Sequence, residues 1–183
     1  MKSAEEFIKE HGKLQFEKPE NKKIENSKQQ KIQVSNELLE FDQLKTKVLK
    51  YVLYKKRTEQ EVRKKFSSSQ NANRLDDVID NLKENGYIND TNYIQRAVNE
   101  FMAINTLSLR EMKNKLYAKG LDTNLTENYF IEHEEELEEY ELNCAKKVIV
   151  KKQIQLEREE IERFLYKKGY PSSCIRKAYE EIE

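Results

Sequence analysis

The side chains most able to support chemistry in this sequence are basic residues that gather in three clusters. Each cluster lies on a short amphipathic segment, in which residues three or four positions apart share one helix face. A basic helix face attracts anionic partners. The alternative interpretation of each cluster is an ordinary solvated helix surface with no partner. The candidate binding residues are Lys55, Lys56, Arg57, Arg63, Lys64 and Lys65 in the first cluster, Arg110, Lys113, Lys115 and Lys119 in the second, and Arg158, Arg163, Lys167 and Lys168 in the third.

Residue types that catalyse reactions or hold metal ions are sparse. His11 and His133 are each alone in their neighbourhoods, which indicates surface residues rather than zinc ligands or general bases. Cys144 and Cys174 are too far apart for a metal knuckle and occupy apolar positions of helical patterns, so we expect both to pack in the core. No nucleotide-binding loop and no H-E-x-x-H pattern is present. We therefore expect no enzymatic activity, no metal and no cofactor.

The charge balance limits the kind of partner. The chain carries 34 basic and 34 acidic side chains, so its formal net charge is zero. Residues 41–89 hold 11 basic and 7 acidic groups, residues 90–131 hold 5 of each, and residues 132–183 hold 10 basic and 14 acidic groups. A neutral chain is poorly suited to tight nonspecific DNA binding, because attraction to phosphate supplies that affinity. Any contact with nucleic acid must therefore be local, or must come through a protein partner.

Composition favours a helical protein outside the membrane. Charged residues make up 37% of the chain, which has only 4 glycines and 2 prolines, and this suits helices with solvated faces. No window approaches the roughly 18 apolar residues of a membrane span, and no secretory pattern opens the sequence. We expect a cytoplasmic protein, and a monomer.

One pattern recurs along the chain. The stretch 116–122 (LYAKGLD) and its counterpart 165–171 (LYKKGYP) each combine the end of a short helix, a glycine stop and the start of another helix. The anchor residues Phe66, Leu116 and Leu165 are about 50 residues apart, which is typical of a helical repeat array. Capping boxes begin two of the short helices, at Thr58 with Glu61 and at Ser108 with its partner Glu111.

Other helix ends carry single-residue signals. Asp90 is the expected cap of the helix that begins there, and Ser172 or Ser173 is the expected cap of the last helix. Gly86 is expected to end a helix, since glycine can take positive φ.

These patterns predict an all-α fold, a tandem array of three three-helix, helix-turn-helix-like repeats. We expect the array to be elongated, with bending at the joints, and to follow a poorly anchored N-terminal segment. The polar run 18–31 is interpreted as a mobile linker, and a short hairpin that pairs 14–16 with 32–34 is the alternative. The predicted organisation is 1–35 as the flexible or weakly structured segment, 36–89 as repeat one, 90–133 as repeat two and 134–183 as repeat three.

Four successive signatures over residues 42–183 resemble those of the RecX family, bacterial regulators of the RecA recombinase. They are Arg57-Thr58-x-x-Glu61-Val62-x-x-x-Phe66, Tyr87-Ile88-Asn89-Asp90-x-x-Tyr93, Leu116-x-Ala118-Lys119-Gly120-Leu121-Asp122 and Leu165-x-Lys167-Lys168-Gly169-Tyr170-x-x-x-x-Ile175.

The resemblance implies a non-enzymatic protein that lies in the groove of the RecA–single-stranded-DNA filament. Such a protein would modulate, in the inhibitory direction, the recombinase, ATPase and coprotease activities that serve recombination, DNA repair and the SOS response. Two departures shift weight toward contact with protein rather than DNA. Leu107, Ser108 and Leu109 occupy the place of a Lys-Gly-Pro element frequent in the family, and the chain is neutral where many members are basic. A direct, weak binder of single- or double-stranded DNA and a helical scaffold for another protein are the alternatives.

Overall fold

The computed structural model describes residues 21–67, 72–104 and 106–182, with side chains from residue 36 onward except 68–73. Within these ranges the regular structure is helical, and no strand occurs there. The helices are α1 Asn21–Tyr54, α2 Glu59–Phe66, α3 Ala72–Glu84, α4 Asp90–Ile104, α5 Leu109–Tyr117, α6 Thr123–Glu132, α7 Glu134–Lys152, α8 Arg158–Lys168 and α9 Ser172–Glu180. This is the predicted all-α tandem array of three-helix repeats.

The chain divides into two compact units, Met1–Asp42 and Gln43–Glu183. Helix α1 begins at Asn21, so the linker predicted over 18–31 is wrong from residue 21 onward. The hairpin alternative is wrong too, because residues 32–34 are helical, while residues 14–16 lie outside the described part. Residues 21–31 are mostly polar and contain no glycine or proline. Such a composition is as compatible with a solvated helix as with a coil, so it does not distinguish the two. Leu38 and Leu39 are 59% and 56% exposed, in line with weak anchoring of this region.

Repeat one combines the end of α1 with α2 and α3. Its buried apolar residues follow the predicted helical spacing. The ring of Tyr51 in α1 meets Phe66 of α2 edge to face, with ring centroids 5.6 Å apart. Helices α2 and α3 pack directly on each other. The buried set comprises Leu44, Val48, Val52, Val62, Leu75, Val78, Ile79 and Leu82.

Repeats two and three each have an apolar cluster. The anchors Leu116 and Leu165 are fully buried at the centre of these clusters. Leu137, which the sequence assigns to repeat three, packs in the cluster of repeat two, and Tyr140 packs against both clusters. Neighbouring repeats therefore share surface, and their boundaries at 36, 90 and 134 stay predictions. The shared cores are Ile94, Val98, Met112, Leu116, Leu121, Tyr129, Phe130 and Leu137 in one, and Leu142, Cys144, Ala145, Ile149, Ile161, Leu165, Tyr170, Ile175, Ala178 and Tyr179 in the other.

The helix ends largely follow the sequence signals. Both predicted capping boxes form, at Thr58 and at Ser108, and each hydroxyl accepts a hydrogen bond from the third backbone N–H of its helix. The prediction that Asp90 caps α4 is wrong. The side chain of Asn89 accepts the capping hydrogen bond, from the Asn92 N–H. Helix α9 begins at Ser172 without a side-chain cap, so the predicted serine cap is wrong there as well.

Both cysteines serve the core, as predicted. Cys144 is buried, and Cys174 is half-buried against the cluster of repeat three. Burial raises the pKa of the Cys144 thiol, and it raises that of Cys174 to about 12. His133 is half-buried rather than a surface residue, because its ring stacks on Tyr129 at 4.2 Å.

Candidate partner-binding site

The first joint, between repeats one and two, connects the start of α2 to the end of α5. The hydroxyl of Thr58 donates a 2.8 Å hydrogen bond to the carbonyl oxygen of Lys119, and it accepts one of 3.1 Å from the Glu61 N–H. The Lys119 ammonium lies 3.0 Å from the Glu61 carboxylate, which raises the pKa of that lysine. Gly120, at φ +74°, lies so close to Gln60 that a Cβ would come within 2.4 Å of its side chain.

The second joint, between repeats two and three, repeats this arrangement with different residues. The hydroxyl of Ser108 donates a 2.7 Å hydrogen bond to the carbonyl oxygen of Lys168. The Lys168 ammonium lies 3.0 Å from Glu111, the residue equivalent to Glu61. Gly169, at φ +100°, lies against Ser108 and Arg110. A hydroxyl at the start of one repeat's second helix thus binds the Lys-Gly corner of the next repeat.

A carboxylate from the following repeat completes each joint. Asp90 accepts a 3.0 Å hydrogen bond from the Glu59 N–H, and Glu141 accepts one of 2.7 Å from the Leu109 N–H. These are the first amides of α2 and α5, where the helix dipole favours a negative charge. Burial raises the pKa of both carboxyls, although the backbone hydrogen bonds oppose that effect. Sequence spacing gave no signal for these two residues, because the bonds span more than thirty positions.

The joints engage three of the predicted binding residues. The ammonium groups of Lys119 and Lys168 pair across the joints, and Arg110 donates a 3.4 Å hydrogen bond to the carbonyl oxygen of Lys167. A basic residue that neutralises a neighbouring carboxylate contributes less to an outside partner. In this structure the ammonium groups of Lys119 and Lys168 thus bridge neighbouring repeats.

Four further candidates are engaged within their own repeats. Arg158 lies 2.9 Å from Glu162 and 4.2 Å over the ring of Tyr179. Arg63 pairs with Asp76 and, at 2.7 Å, with Glu59, and Lys113 lies 2.5 Å from Glu127. Burial raises the pKa of Glu59, but its bonds to Lys83 and Arg63 outweigh that effect and lower it. Arg57 lies 4.6 Å over the ring of Tyr51 and 3.7 Å from Glu61. The ladder of freely available cations that the sequence suggests is correspondingly reduced.

Groove one lies between the end of α1 and the outer face of α4. Its volume is about 830 Å³. Tyr54 is 89% exposed at its rim, and Tyr87 is 40% exposed. The structure brings three predicted residues of the first cluster together here. The charged and aromatic residues that line groove one include Lys55, Lys56, Arg57, Tyr54, Tyr87 and Arg96.

Groove two lies between α8, α9 and the start of α5, with a volume of about 970 Å³. It combines a predicted residue of the second cluster with three of the third. Tyr166 is 65% exposed beside them, and two carboxylates also line the groove. Groove two is lined by Arg110, Arg158, Arg163, Lys167, Arg176, Tyr166, Glu159, Glu162, Ser172 and Ile175.

The remaining candidates line neither groove. The Lys65 ammonium lies 5.1 Å over the ring of Tyr51, so it makes a cation–π contact within repeat one. Lys64 and Lys115 are exposed and have no ion pair among the described residues. Arg176 and Arg96, which the sequence reasoning did not select, do line a groove.

Features of other site classes do not appear in the described part of the chain. Across residues 36–67, 74–104 and 106–182, no three His, Cys, Asp or Glu side chains approach closely enough to hold a metal ion. In the described helices, no segment combines the length and apolar character that a membrane crossing requires. The arrangement that remains is a pair of basic grooves with exposed tyrosines.

The fold and these grooves define a tandem helical-repeat protein with a charged surface suited to binding. No protein-family model matches the chain. It is 30% identical over 141 residues to the regulatory protein RecX of Staphylococcus carnosus, covering 74% of this chain and 52% of that protein. It is also 30% identical over 133 residues to the regulatory protein RecX of Finegoldia magna, covering 72% and 63% respectively. On these similarities and on the structural likeness below, the chain belongs to the RecX family.

Solved structures agree with that assignment. The crystal structure of RecX from Lactobacillus salivarius matches with a TM-score of 0.66 at 25% identity, covering 77% of this chain and 95% of that chain. A second crystal structure, of a regulatory protein RecX, matches with a TM-score of 0.65 at 19% identity, which supports the fold. The chain spans about half to three fifths of the length of the curated relatives above.

Proposed function

We propose that this protein is a non-enzymatic regulator that binds the RecA–single-stranded-DNA filament. By binding, it lowers the recombinase, ATPase and coprotease activities of the filament in recombination and DNA repair. It acts as a monomer in the cytoplasm, where that filament forms. Membership in a family named for regulation supports this function, since the relatives carry the name regulatory protein RecX.

The observation that carries the proposal is the pair of grooves that gather basic side chains. Groove two takes Arg110 from repeat two and Arg163 from repeat three, so one partner surface would contact both repeats. Charge at the rim steers association, while shape complementarity supplies the fit. Direct hydrogen bonds join the two repeats at this joint, so we expect the groove to exist before a partner binds.

The test is the ATPase rate of RecA on single-stranded DNA, with and without this protein, at two salt concentrations. We expect inhibition that weakens at the higher salt, because the attraction is electrostatic. The variant Lys55→Glu/Lys56→Glu reverses two exposed charges of groove one and should weaken inhibition about tenfold. Reversal of Arg57 or Arg63 is a poorer choice, because both are already engaged within repeat one.

Lys147→Glu/Lys151→Glu is the matched control, since both lysines are exposed on α7 and line neither groove. It changes the net charge by the same amount and should inhibit like the parent protein. An unchanged ATPase rate with the folded parent protein would remove RecA as the target. If both double variants lost inhibition equally, the loss would reflect net charge and not a specific contact at groove one.

A direct nucleic-acid-binding module is the second candidate function. Unpaired bases stack on exposed aromatic rings beside basic groups, and Tyr54 and Tyr87 line groove one together with Lys55 and Lys56. Binding to naked single-stranded DNA, with a steep loss of affinity as salt rises, would favour this function. Loss of that binding in Tyr54→Ala would locate it in groove one.

A further inference from the structure

We propose that groove two binds an acidic, extended segment of a protein partner. The inference deepens the proposed function and rests on it for the partner being a protein. It assigns a ligand class to the surface formed by α8, α9 and the start of α5.

Guanidinium groups dominate the groove. Four of its five basic residues are arginines, whose planar forks bind carboxylates through paired hydrogen bonds. Arg158 and Arg176 already lie 2.9 Å from Glu162 and 3.9 Å from Glu180. Arg110, Arg163 and Lys167 are therefore the groove cations that remain for a partner. Arg163 and Lys167 are four positions apart on α8 and are both exposed, so they present cations one helical turn apart. Neither side chain has an ion pair with a carboxylate among the described residues. The spacing suits successive acidic side chains along an extended segment.

Tyr166 supplies the apolar contact that a purely ionic site would lack. Tyr166 lies between Arg163 and Lys167 in the sequence, and its side chain is 65% exposed. The buried side chain of Ile175 also lines the groove. An exposed tyrosine ring packs against an aliphatic side chain while its hydroxyl remains in water. An acidic segment that carries one apolar residue fits this combination.

The surroundings favour a short acidic peptide over a nucleic acid. Glu159 and Glu162 also line the groove, and residues 132–183 hold 14 acidic against 10 basic groups. A nucleic acid carries a negative charge at every nucleotide, so one longer than the groove would bring further phosphates to a repeat whose net charge is negative. A protein segment needs acidic side chains only over the few residues that lie in the groove. Because the positive charge is confined to groove two, a short acidic peptide segment fits it better than a long nucleic acid.

The test is NMR amide chemical-shift mapping with a synthetic peptide of about ten residues that alternates Asp and Glu around one Leu. We expect shifts concentrated on α8 and α9, and a dissociation constant that rises with salt. Arg163→Glu/Lys167→Glu should weaken binding about tenfold. Tyr166→Ala should weaken it about threefold without altering the salt dependence, because the ring contributes apolar contact.

Lys147→Glu/Lys151→Glu is again the matched control. Lys151 lies in the last turn of α7 as Lys167 does in that of α8, so the cost at the helix end is equal. The control should bind the peptide like the parent protein. A peptide with Gln and Asn in place of Glu and Asp should not bind.

Three results would overturn the proposal. These are the absence of shifts in α8 and α9, equal binding of the uncharged peptide, and tighter binding of an oligothymidylate of the same length. The last result would assign groove two to nucleic acid. Because the titration contains no RecA, its failure leaves the ATPase test unaffected, and loss of the RecA effect leaves the peptide result standing.

Discussion

The hydroxyl of Thr58 donates a 2.8 Å hydrogen bond to the carbonyl oxygen of Lys119, and Ser108 makes the equivalent 2.7 Å bond to Lys168. Each hydroxyl performs two tasks, because it also accepts the capping bond from the third amide of its own helix. Helix capping within one repeat and docking of the next repeat are therefore coupled through one oxygen atom. Both hydroxyl-bearing residues are fully buried.

Thr58→Ala should lower the free energy of unfolding by about 2 kcal/mol. It removes a helix cap, at a cost of about 1 kcal/mol. It also leaves the Lys119 carbonyl without this donor, which adds a similar amount. Urea denaturation followed by circular dichroism measures the change. Asp122→Ala is the matched control, since Asp122 caps α6 through the Leu125 N–H and takes no part in either joint. Equal losses in the two variants would show that the joint bond adds nothing.

Gly120→Ala should destabilise the protein by about 3 kcal/mol, more than Gly86→Ala. Both glycines have φ near +70°, so both substitutions carry the left-handed strain of about 1 kcal/mol. A Cβ at Gly120 would approach the Cβ of Gln60 to 2.6 Å, whereas one at Gly86 meets nothing within 4 Å. Thermal and urea unfolding of both variants separates the two contributions. If the two variants lost similar free energies of unfolding, the first joint would accommodate the added methyl group without destabilising the protein.

Glu141→Gln should remove a pH-dependent part of the stability. Burial holds the native pKa of Glu141 above its ordinary value of 4.5. A native carboxyl with a raised pKa binds a proton that the unfolded chain has released, so its contribution to stability is full below pH 4.5 and falls as pH rises through the native pKa. Relative to the variant, the parent protein should therefore gain stability on acidification.

Urea unfolding of both proteins between about pH 4 and pH 8 measures this difference. Glutamine keeps an oxygen for the Leu109 N–H, so a large loss at neutral pH is not expected. The exposed Glu135 on the same helix offers the control Glu135→Gln. A difference between parent protein and Glu141→Gln that stays constant with pH would contradict the prediction.

Tyr51→Leu should cost about 1–2 kcal/mol of stability. The ring lies under Arg57 at 4.6 Å and Lys65 at 5.1 Å, and it meets Phe66 edge to face. Leucine retains apolar volume but offers no aromatic face to the two cations. Tyr54→Leu, at an 89% exposed position in the same helix, should change stability by less than about 0.5 kcal/mol. Comparable losses at the two positions would exclude a role for the stacked cations.

Local signals in the sequence predicted the repeats well. Capping boxes and glycine stops are decided within a few residues, and both boxes and the positive φ of Gly86, Gly120 and Gly169 agree with the prediction. The buried anchors Leu116 and Leu165 follow from helical periodicity in the same way. Such features depend on neighbours along the chain, so they can be derived without knowledge of the packing.

The binding surface was less predictable because it depends on distant partners. Periodicity places Arg63 and Lys119 on exposed faces, but it cannot show that Asp76 or Glu61 lies opposite. For the same reason Asp90 was interpreted as the cap of its own helix, although it binds an amide of repeat one. Long-range charge pairing decides which cations remain for a partner, and a single sequence carries no record of it.

Within the part of the chain that the structure describes, the middle repeat alone carries both halves of the joint, the Ser108 hydroxyl on one side and the Lys119-Gly120 corner on the other. In repeat three, an exposed Glu157 occupies the position of that hydroxyl, and in repeat one the second helix ends at Phe66 without a glycine after it. The middle repeat is thus a self-compatible building block. Inserting a duplicate of it should lengthen the protein by one repeat that docks on both neighbours without redesign.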